Sequence, residues 1–404
     1  MLNWKISLVV VGWMTAQTAL CQPNAVYPVG SAFPLQLYSL QPDGDIPVVA
    51  PDGWNVGHRY GWADGGTGTG TLNALLQNLA QSGMNGMPAL PATGIVSSVR
   101  TEWTEGDFAN WIGDLAPNSN LGFWDFPEEL RYWKPSEYQI VQDYAAWTRT
   151  YDPLQRPNFM YIPSHYTQAQ IQNYVPYLDI IPASAYADYA GQPHAWVRWR
   201  MEETIRAINQ AGAVIGSDYL NGQKTPVGIV GLFLGANGVL PTPDQTYHDF
   251  WQLIASGAKG ILVFSYFHRN DQNGALLPNW HRLRDCASQI SGPEQLGQMI
   301  LYGQPVTSVT TAILDGPEQT VAFTPVGYST PVLFPSIHLF CQQWNGSNYL
   351  IAVNSTDQSV IAQFGNLPAD WGSATVLFES RQVSIADSGM TDLFPAWGVH
   401  IYRF

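Results

Sequence analysis

The residues best suited to chemistry are crowded into one stretch, Leu121 to Trp133, which reads L-G-F-W-D-F-P-E-E-L-R-Y-W. A short apolar run, Leu121 to Trp124, has the length of a buried strand. Asp125, Glu128 and Glu129 follow at its end, where Pro127 stops the strand and Pro135 opens a helix. Carboxylates at the C-terminal tip of a buried parallel strand stand where α/β barrels keep their reacting groups. Glu128, set among Phe123, Trp124, Phe126, Tyr132 and Trp133, is expected to be partly desolvated. Desolvation favours the protonated carboxyl and suits it to donate a proton near neutral pH. Hydrolysis of a glycosidic bond needs such an acid beside a second carboxylate. Glu128 is favoured over Glu129 as the acid, leaving Glu129 to orient Arg131, with Asp125 in support.

To hold those carboxylates at a mouth, strands and helices must alternate, and the spacing predicts that they do. Phe33 to Leu40 reads as a first strand, and Gln41 to Thr71, rich in Gly, Asp and Trp, as a long functional loop above it. Leu72, Leu75, Leu76 and Leu79 recur at helical spacing until Gly83. Met84–Leu90 and Ile95–Val99 read as strands two and three. Thr104, with Glu105 and Asp107 behind it, reads as the N-cap of a helix to about Leu115. Leu121–Phe126 is the fourth strand.

Four more strand-like runs follow, Asn158–Ile162, Leu178–Ala185, Val227–Leu234 and Gly260–Phe267. Between and around them, Ser136–Thr148, Thr167–Tyr174, Trp196–Gln210, Thr246–Ser256 and Asn279–Ile290 read as helices. Eight continuous apolar strands alternating with helices predict an α/β protein built on a (β/α)8 TIM barrel. Beyond Gln304 the texture changes to short runs with twofold alternation, such as Ser308–Leu314, Thr320–Phe323, Ser336–Gln342 and Tyr349–Val353. Val360–Phe364, Ala374–Phe378 and Val399–Phe404 continue the pattern, which predicts a C-terminal antiparallel β-sandwich. The expected division is 1–21 signal peptide, 22–303 barrel and 304–404 sandwich.

The signal rests on Lys5, the apolar run Ile6 to Trp13, and Ala19-Leu20-Cys21 as a small-x-small cleavage site. It predicts a secreted or periplasmic protein, and the run is too short to span a bilayer, so no membrane insertion is expected. Cleavage after Cys21 leaves Cys286 and Cys341, which an oxidising compartment would allow to pair if they meet. A net charge of −14 repels phosphate backbones and excludes a nucleic-acid partner.

The strand-tip sequence G-F-W-D-F-P-E-E resembles the fourth-strand signature of (β/α)8 glycoside hydrolases, in which a Gly-aromatic-aromatic run leads to the acid/base Glu. W-N-G-S-N-Y-L-I-A-V-N-S (Trp344 to Ser355) and A-W-G-V-H-I-Y-R-F (Ala396 to Phe404) resemble the β-sandwich appended to many such enzymes. The resemblance implies an oligo- or polysaccharide substrate and gives Glu128 the acid's place. Two departures stand out. Pro127 occupies the position of the Asn that precedes the acid in the best-known clan, and strand seven, G-I-V-G-L-F-L-G-A-N, carries no carboxylate.

The second carboxylate must therefore come from elsewhere, and Asp188, Glu102, Asp271 and Asp125 stay open for it. Trp54, Trp62, Trp103 and Trp124 are the candidate stacking platforms, because aromatic faces match the C–H faces of pyranose rings. Tyr186, His165, His268 and Arg269, at other strand tips, are candidates to bind sugar hydroxyls. Eight scattered His without an H-x-H, H-E-x-x-H or Cys pair predict no metal site. No cofactor is expected: G-T-G-T-G at Gly66 to Gly70 lacks the strand and Lys of a phosphate cradle, and no G-x-S-x-G marks an esterase. The missing strand-seven acid keeps alternatives open, a carbohydrate-binding protein on a barrel scaffold first and a structural surface protein second.

Overall fold

Eight parallel strands in the order β3-β2-β1-β8-β7-β6-β5-β4 form the central sheet. They are β1 (Leu35–Leu37), β2 (Val56–Arg59), β3 (Asn85–Pro88), β4 (Trp124–Phe126), β5 (Asn158–Met160), β6 (Ile180–Ser184), β7 (Thr225–Gly231) and β8 (Ile261–Phe264). The computed structural model describes residues 32–41, 44–60, 69–90, 104–236, 238–367 and 371–404. The sheet closes between β3 and β4 through parallel bridges, Gly86 with Leu121 and Ala89 with Asp125. Backbone hydrogen bonds of 2.8 Å from Gly122 to Gly86 and 2.7 Å from Leu90 to Asp125 carry that closure. The result is a (β/α)8 barrel.

The helices pack their apolar stripes on this sheet. Thr69–Gln81 buries Leu72, Leu75, Leu76 and Leu79, each contributing about 1.5–3 kcal/mol by leaving water. Glu105–Leu115 begins at Thr104, whose Oγ1 accepts from the Asp107 amide at 3.2 Å. Capping of this kind satisfies one of the helix's orphan donors.

The strand count of eight holds, but two of its members change. The irregular section after β1 contains β2, V-G-H-R, which lacks the apolar texture of a buried strand. Val56 and His58 turn into the barrel, while Gly57 faces the helix layer. A Cβ on Gly57 would stand 2.6 Å from Leu79 Cδ2, so only glycine lets that helix lie so close. The run Met84–Leu90 therefore supplies β3, not the second strand. Ile95–Val99, read as a third strand, lies outside the described residues.

The C-terminal region is a sandwich of two antiparallel sheets. Its strands are β9 (Gln304–Pro305), β10 (Thr310–Asp315), β11 (Ile337–Trp344), β12 (Ser347–Asn354), β13 (Val360–Gly365), β14 (Ser373–Val376), β15 (Arg381–Ser384), β16 (Met390–Phe394) and β17 (Val399–Arg403). One sheet runs β10-β13-β16 and the other β15-β14-β17-β12-β11-β9. Leu350, Ala362, Phe364, Phe394 and Tyr402 fill the space between them. Thr320–Phe323 forms no strand: Phe323 makes an isolated bridge to Val332, and Gln319 just before the run makes another to Pro335. On its other face the larger sheet sets Tyr349, Ile351, Val353 and Ile401 into one apolar cluster with barrel helix residues including Phe250 and Leu253. Among the described residues no helix is long and apolar enough to cross a membrane. Cys286, in helix Leu277–Ser291, and Cys341, in β11, are both buried and free.

Candidate active site at the barrel mouth

The C-terminal strand ends converge on a ring of aromatic side chains. Tyr38 follows β1, Tyr60 follows β2, Tyr161 follows β5, and Tyr186 and Phe233 stand two residues beyond β6 and β7, while Phe264 ends β8. All six belong to one cluster with the inward residues of the barrel. Tyr161 stacks on Tyr186 at 6.2 Å, and Phe233 meets Tyr186 edge-on at 4.9 Å. Gly231 leaves room for this packing, because a Cβ there would lie 3.0 Å from the Phe233 ring and 3.1 Å from the Tyr186 ring.

Strand parity decides which residues of the Leu121–Trp133 stretch reach this mouth. Phe123 and Asp125 turn inward; Trp124 and Phe126 turn to the helix layer. Asp125 is fully buried. Its Oδ2 accepts from the Tyr38 hydroxyl at 3.2 Å and lies 3.1 Å from His58 Nε2, off the line needed for a hydrogen bond. Burial pushes the Asp125 carboxyl well above its usual range, against the opposing Tyr38 hydrogen bond, and holds His58 well below its own. Both shifts favour the neutral form beneath the mouth. Tyr38 lies flat against His58, with ring centroids 3.9 Å apart.

Glu128 stands above this pair, half-buried, and its Oε1 accepts from the Tyr60 hydroxyl. Burial, followed by the Glu128 charge, drives the Tyr60 pKa well up, so the phenol stays a donor throughout the working pH range. Glu129 is exposed, in a left-handed conformation (φ 58°), with its amide bonded to the Tyr161 carbonyl at 3.2 Å. The two adjacent carboxylates thus diverge. The expected Glu129–Arg131 partnership is replaced by another: Glu137 takes the guanidinium, accepting from Arg131 Nε at 2.8 Å and from the Arg131 amide at 2.9 Å.

The other candidates scatter. Glu102, Trp62 and Trp103 lie outside the described residues. Trp54 is 1% exposed and stacks on Trp280 at 5.7 Å in the core, so it offers no face to a ligand. Trp124 is likewise buried, its Nε1 donating to Asp152 Oδ2 at 3.0 Å. Asp188 turns sideways from β6 toward His194, 3.7 Å from its Nε2, and burial raises its pKa despite that histidine. Asp271 sits on the rim beyond β8 and pairs with His268 Nδ1 at 2.6 Å. His268 itself reaches the aromatic ring, 6.3 Å from Phe264. Arg269 is committed elsewhere, 3.1 Å from Asp45 Oδ1 and 3.7 Å above the Tyr266 ring, where it ties the β8 loop to the segment after β1. His165 is exposed and lines a neighbouring hollow with Tyr166, Tyr189, Trp196 and Trp199.

The site the structure assembles is therefore Glu128, Tyr60 and the ring of Tyr161, Tyr186, Phe233, Phe264 and His268, resting on Asp125, His58 and Tyr38. His58, Tyr38, Tyr60, Tyr161, Phe233 and Phe264 are marked by no motif in the sequence. One signal was present, an aromatic residue at the tip of nearly every strand.

No protein-family model and no curated protein matches the sequence. Solved structures do match, and glycoside hydrolases are among them. A GH42 beta-galactosidase aligns with a TM-score of 0.57 at 8% identity, over 95% of this chain and 100% of its own. An alpha-amylase from Geobacillus thermoleovorans, complexed with acarbose, aligns at 0.54 and 8%, over 92% and 98% of the two chains. A GH30 endoxylanase from Clostridium papyrosolvens aligns at 0.51 and 11%, over 92% and 96%. These shares are too large to leave out either the barrel or the C-terminal sandwich. At such identities the likeness is one of fold.

Proposed function

We propose that the protein is a secreted glycoside hydrolase acting on an oligo- or polysaccharide, with Glu128 as the proton donor to the leaving oxygen. The observation that carries this is the position of Glu128, a half-buried carboxylate at the C-terminal mouth of the barrel, oriented by Tyr60 and surrounded by aromatic faces. A cleft of this composition presents apolar faces to sugar rings and one proton-transfer group to the bond between them. The fold likeness to glycoside hydrolases, one of them crystallised with acarbose, supports the same reading. Fold alone does not define function; the residues at the mouth support it. The second carboxylate is to be sought among Glu129, Asp271 and Glu102. Asp125, being fully buried, acts as support under the mouth. Secretion rests on the N-terminal signal read from the sequence.

A second reading has one observation in its favour: β7 and its tip bring Gly231 and Phe233 to the mouth and no carboxylate. It makes the protein a carbohydrate-binding barrel without turnover. Reducing-sugar release by residues 22–404 across a broad polysaccharide panel separates the two. Release supports the hydrolase; retention on an immobilised glycan with no release selects the binding protein.

A further inference from the structure

Away from the mouth, on the side of the barrel facing the sandwich, three buried side chains converge. His194 follows β6, while His248 and Asp249 lie in helix Pro243–Ala255 after β7. They are 4%, 0% and 7% exposed, and one potential ligand atom from each lies within 4.8 Å of the others. The Nδ1 atoms of both histidines stand 2.9 Å from the same oxygen, Asp249 Oδ1. Trp397 covers both rings, at 5.1 and 5.3 Å.

The hydrogen bonds around this cluster fix where the protons are. Ser256 Oγ donates to the Gln252 carbonyl at 2.7 Å, so it accepts from Gln252 Nε2 at 3.0 Å. That sets the orientation of the Gln252 amide, and its Oε1 accepts from Ser355 Oγ at 2.8 Å. The single hydroxyl proton of Ser355 is then committed. Ser355 Oγ, 3.0 Å from His248 Nε2, must accept from that nitrogen. A neutral His248 protonated on Nε2 carries a lone pair on Nδ1, aimed at the Asp249 carboxylate across 2.9 Å. Two acceptors then face one another, and a cation between them satisfies both.

We propose that His194 Nδ1, His248 Nδ1 and the Asp249 carboxylate hold a divalent transition-metal ion of the zinc class, which fastens the barrel to the sandwich. Metal–ligand distances of about 2.0–2.2 Å put tetrahedral ligands about 3.3 Å apart; each histidine Nδ1 already stands 2.9 Å from Asp249 Oδ1, and the three ligand atoms lie within 4.8 Å of one another. Two imidazoles and a carboxylate suit such an ion. His248 also has an outer partner on its remote nitrogen, Ser355, as ligating histidines commonly do, while Asp188 Oδ1 stands 3.7 Å from His194 Nε2, beyond hydrogen-bond reach.

The test is zinc titration of the untagged full chain after chelation and dialysis, followed by calorimetry and thermal melting, with cobalt(II) absorption as the geometric readout. The expected result is one equivalent bound with a raised Tm and a tetrahedral cobalt spectrum. Binding should be abolished by His248→Ala, weakened roughly 10- to 100-fold by Ser355→Ala, and unaffected by His281→Ala on the surface. If His248→Ala does not fold, Ser355→Ala, which removes no ligand, carries the discrimination. Absence of stoichiometric uptake by the wild type overturns the proposal, and so does equal affinity in wild type, His248→Ala and Ser355→Ala. Neither result bears on the reading of the barrel mouth.

Discussion

The Tyr60 hydroxyl donates to Glu128 Oε1, joining strand tips 68 residues apart in sequence across the rim of the barrel. Tyr60 thereby fixes the carboxylate's orientation, and proton donation depends on such positioning. As Glu128 gives up its proton it gains charge, and a hydrogen bond to a charged group is worth about 1.5–3 kcal/mol. Tyr60→Phe is expected to lower kcat roughly ten- to hundredfold with little change in KM. An unchanged kcat, measured on whichever glycan the panel identifies, would remove Tyr60 from the account.

The Asp125–His58 pair predicts an unusual stability profile. In the folded chain burial favours a protonated Asp125 and a neutral His58. Unfolded, Asp125 ionises above about pH 3.9 and His58 takes a proton below about 6.5. Between those values the two differences cancel. Above about pH 6.5 a folded pair that still holds the Asp125 proton carries one proton more than the unfolded chain, so stability falls with rising pH until Asp125 ionises. Asp125→Asn removes that alkaline loss and leaves the His58 penalty at acid pH. Urea unfolding at pH 6 and pH 8 should show the variant gaining on wild type as pH rises. A parallel shift at both values would contradict neutral burial of the pair.

Aromatic residues at the mouth and in the core should separate cleanly. Tyr161→Ala is expected to weaken glycan binding roughly two- to tenfold, because it removes a stacking face. Trp124→Phe deprives the buried Asp152 of a donor and should cost about 1–3 kcal/mol of stability without changing glycan affinity. Denaturant midpoints and glycan titrations on both variants read this directly. The opposite assignment of losses would return Trp124 to the binding cleft.

Much of this architecture was written in local patterns. The leucines of Thr69–Gln81, the Thr104 cap and the apolar β5 to β8 all declare themselves at short range, and the two-part fold follows from them. Strand β2 did not, because its inward positions hold His58 and its outward position Gly57, so a functional strand lacks a strand's hydrophobic signature. Glu128 was legible from its place after β4, whereas Tyr60, which orients it, comes from a segment that read as loop. The tryptophans misled through parity: one residue along β4 separates the inward Asp125 from the outward Trp124. His194 and Asp249 are 55 residues apart, so no spacing motif could reveal their meeting.

Glu128 is tested most directly by the leaving-group dependence of Glu128→Gln. A residue that protonates the leaving oxygen matters for a natural glycan and hardly matters for a dinitrophenyl glycoside, whose phenolate departs unaided. The account predicts a loss of roughly 10²- to 10⁴-fold on the natural glycan, with near-normal cleavage of the activated substrate. An equal loss on both substrates, or full activity on both, would contradict the assignment of Glu128 as the acid.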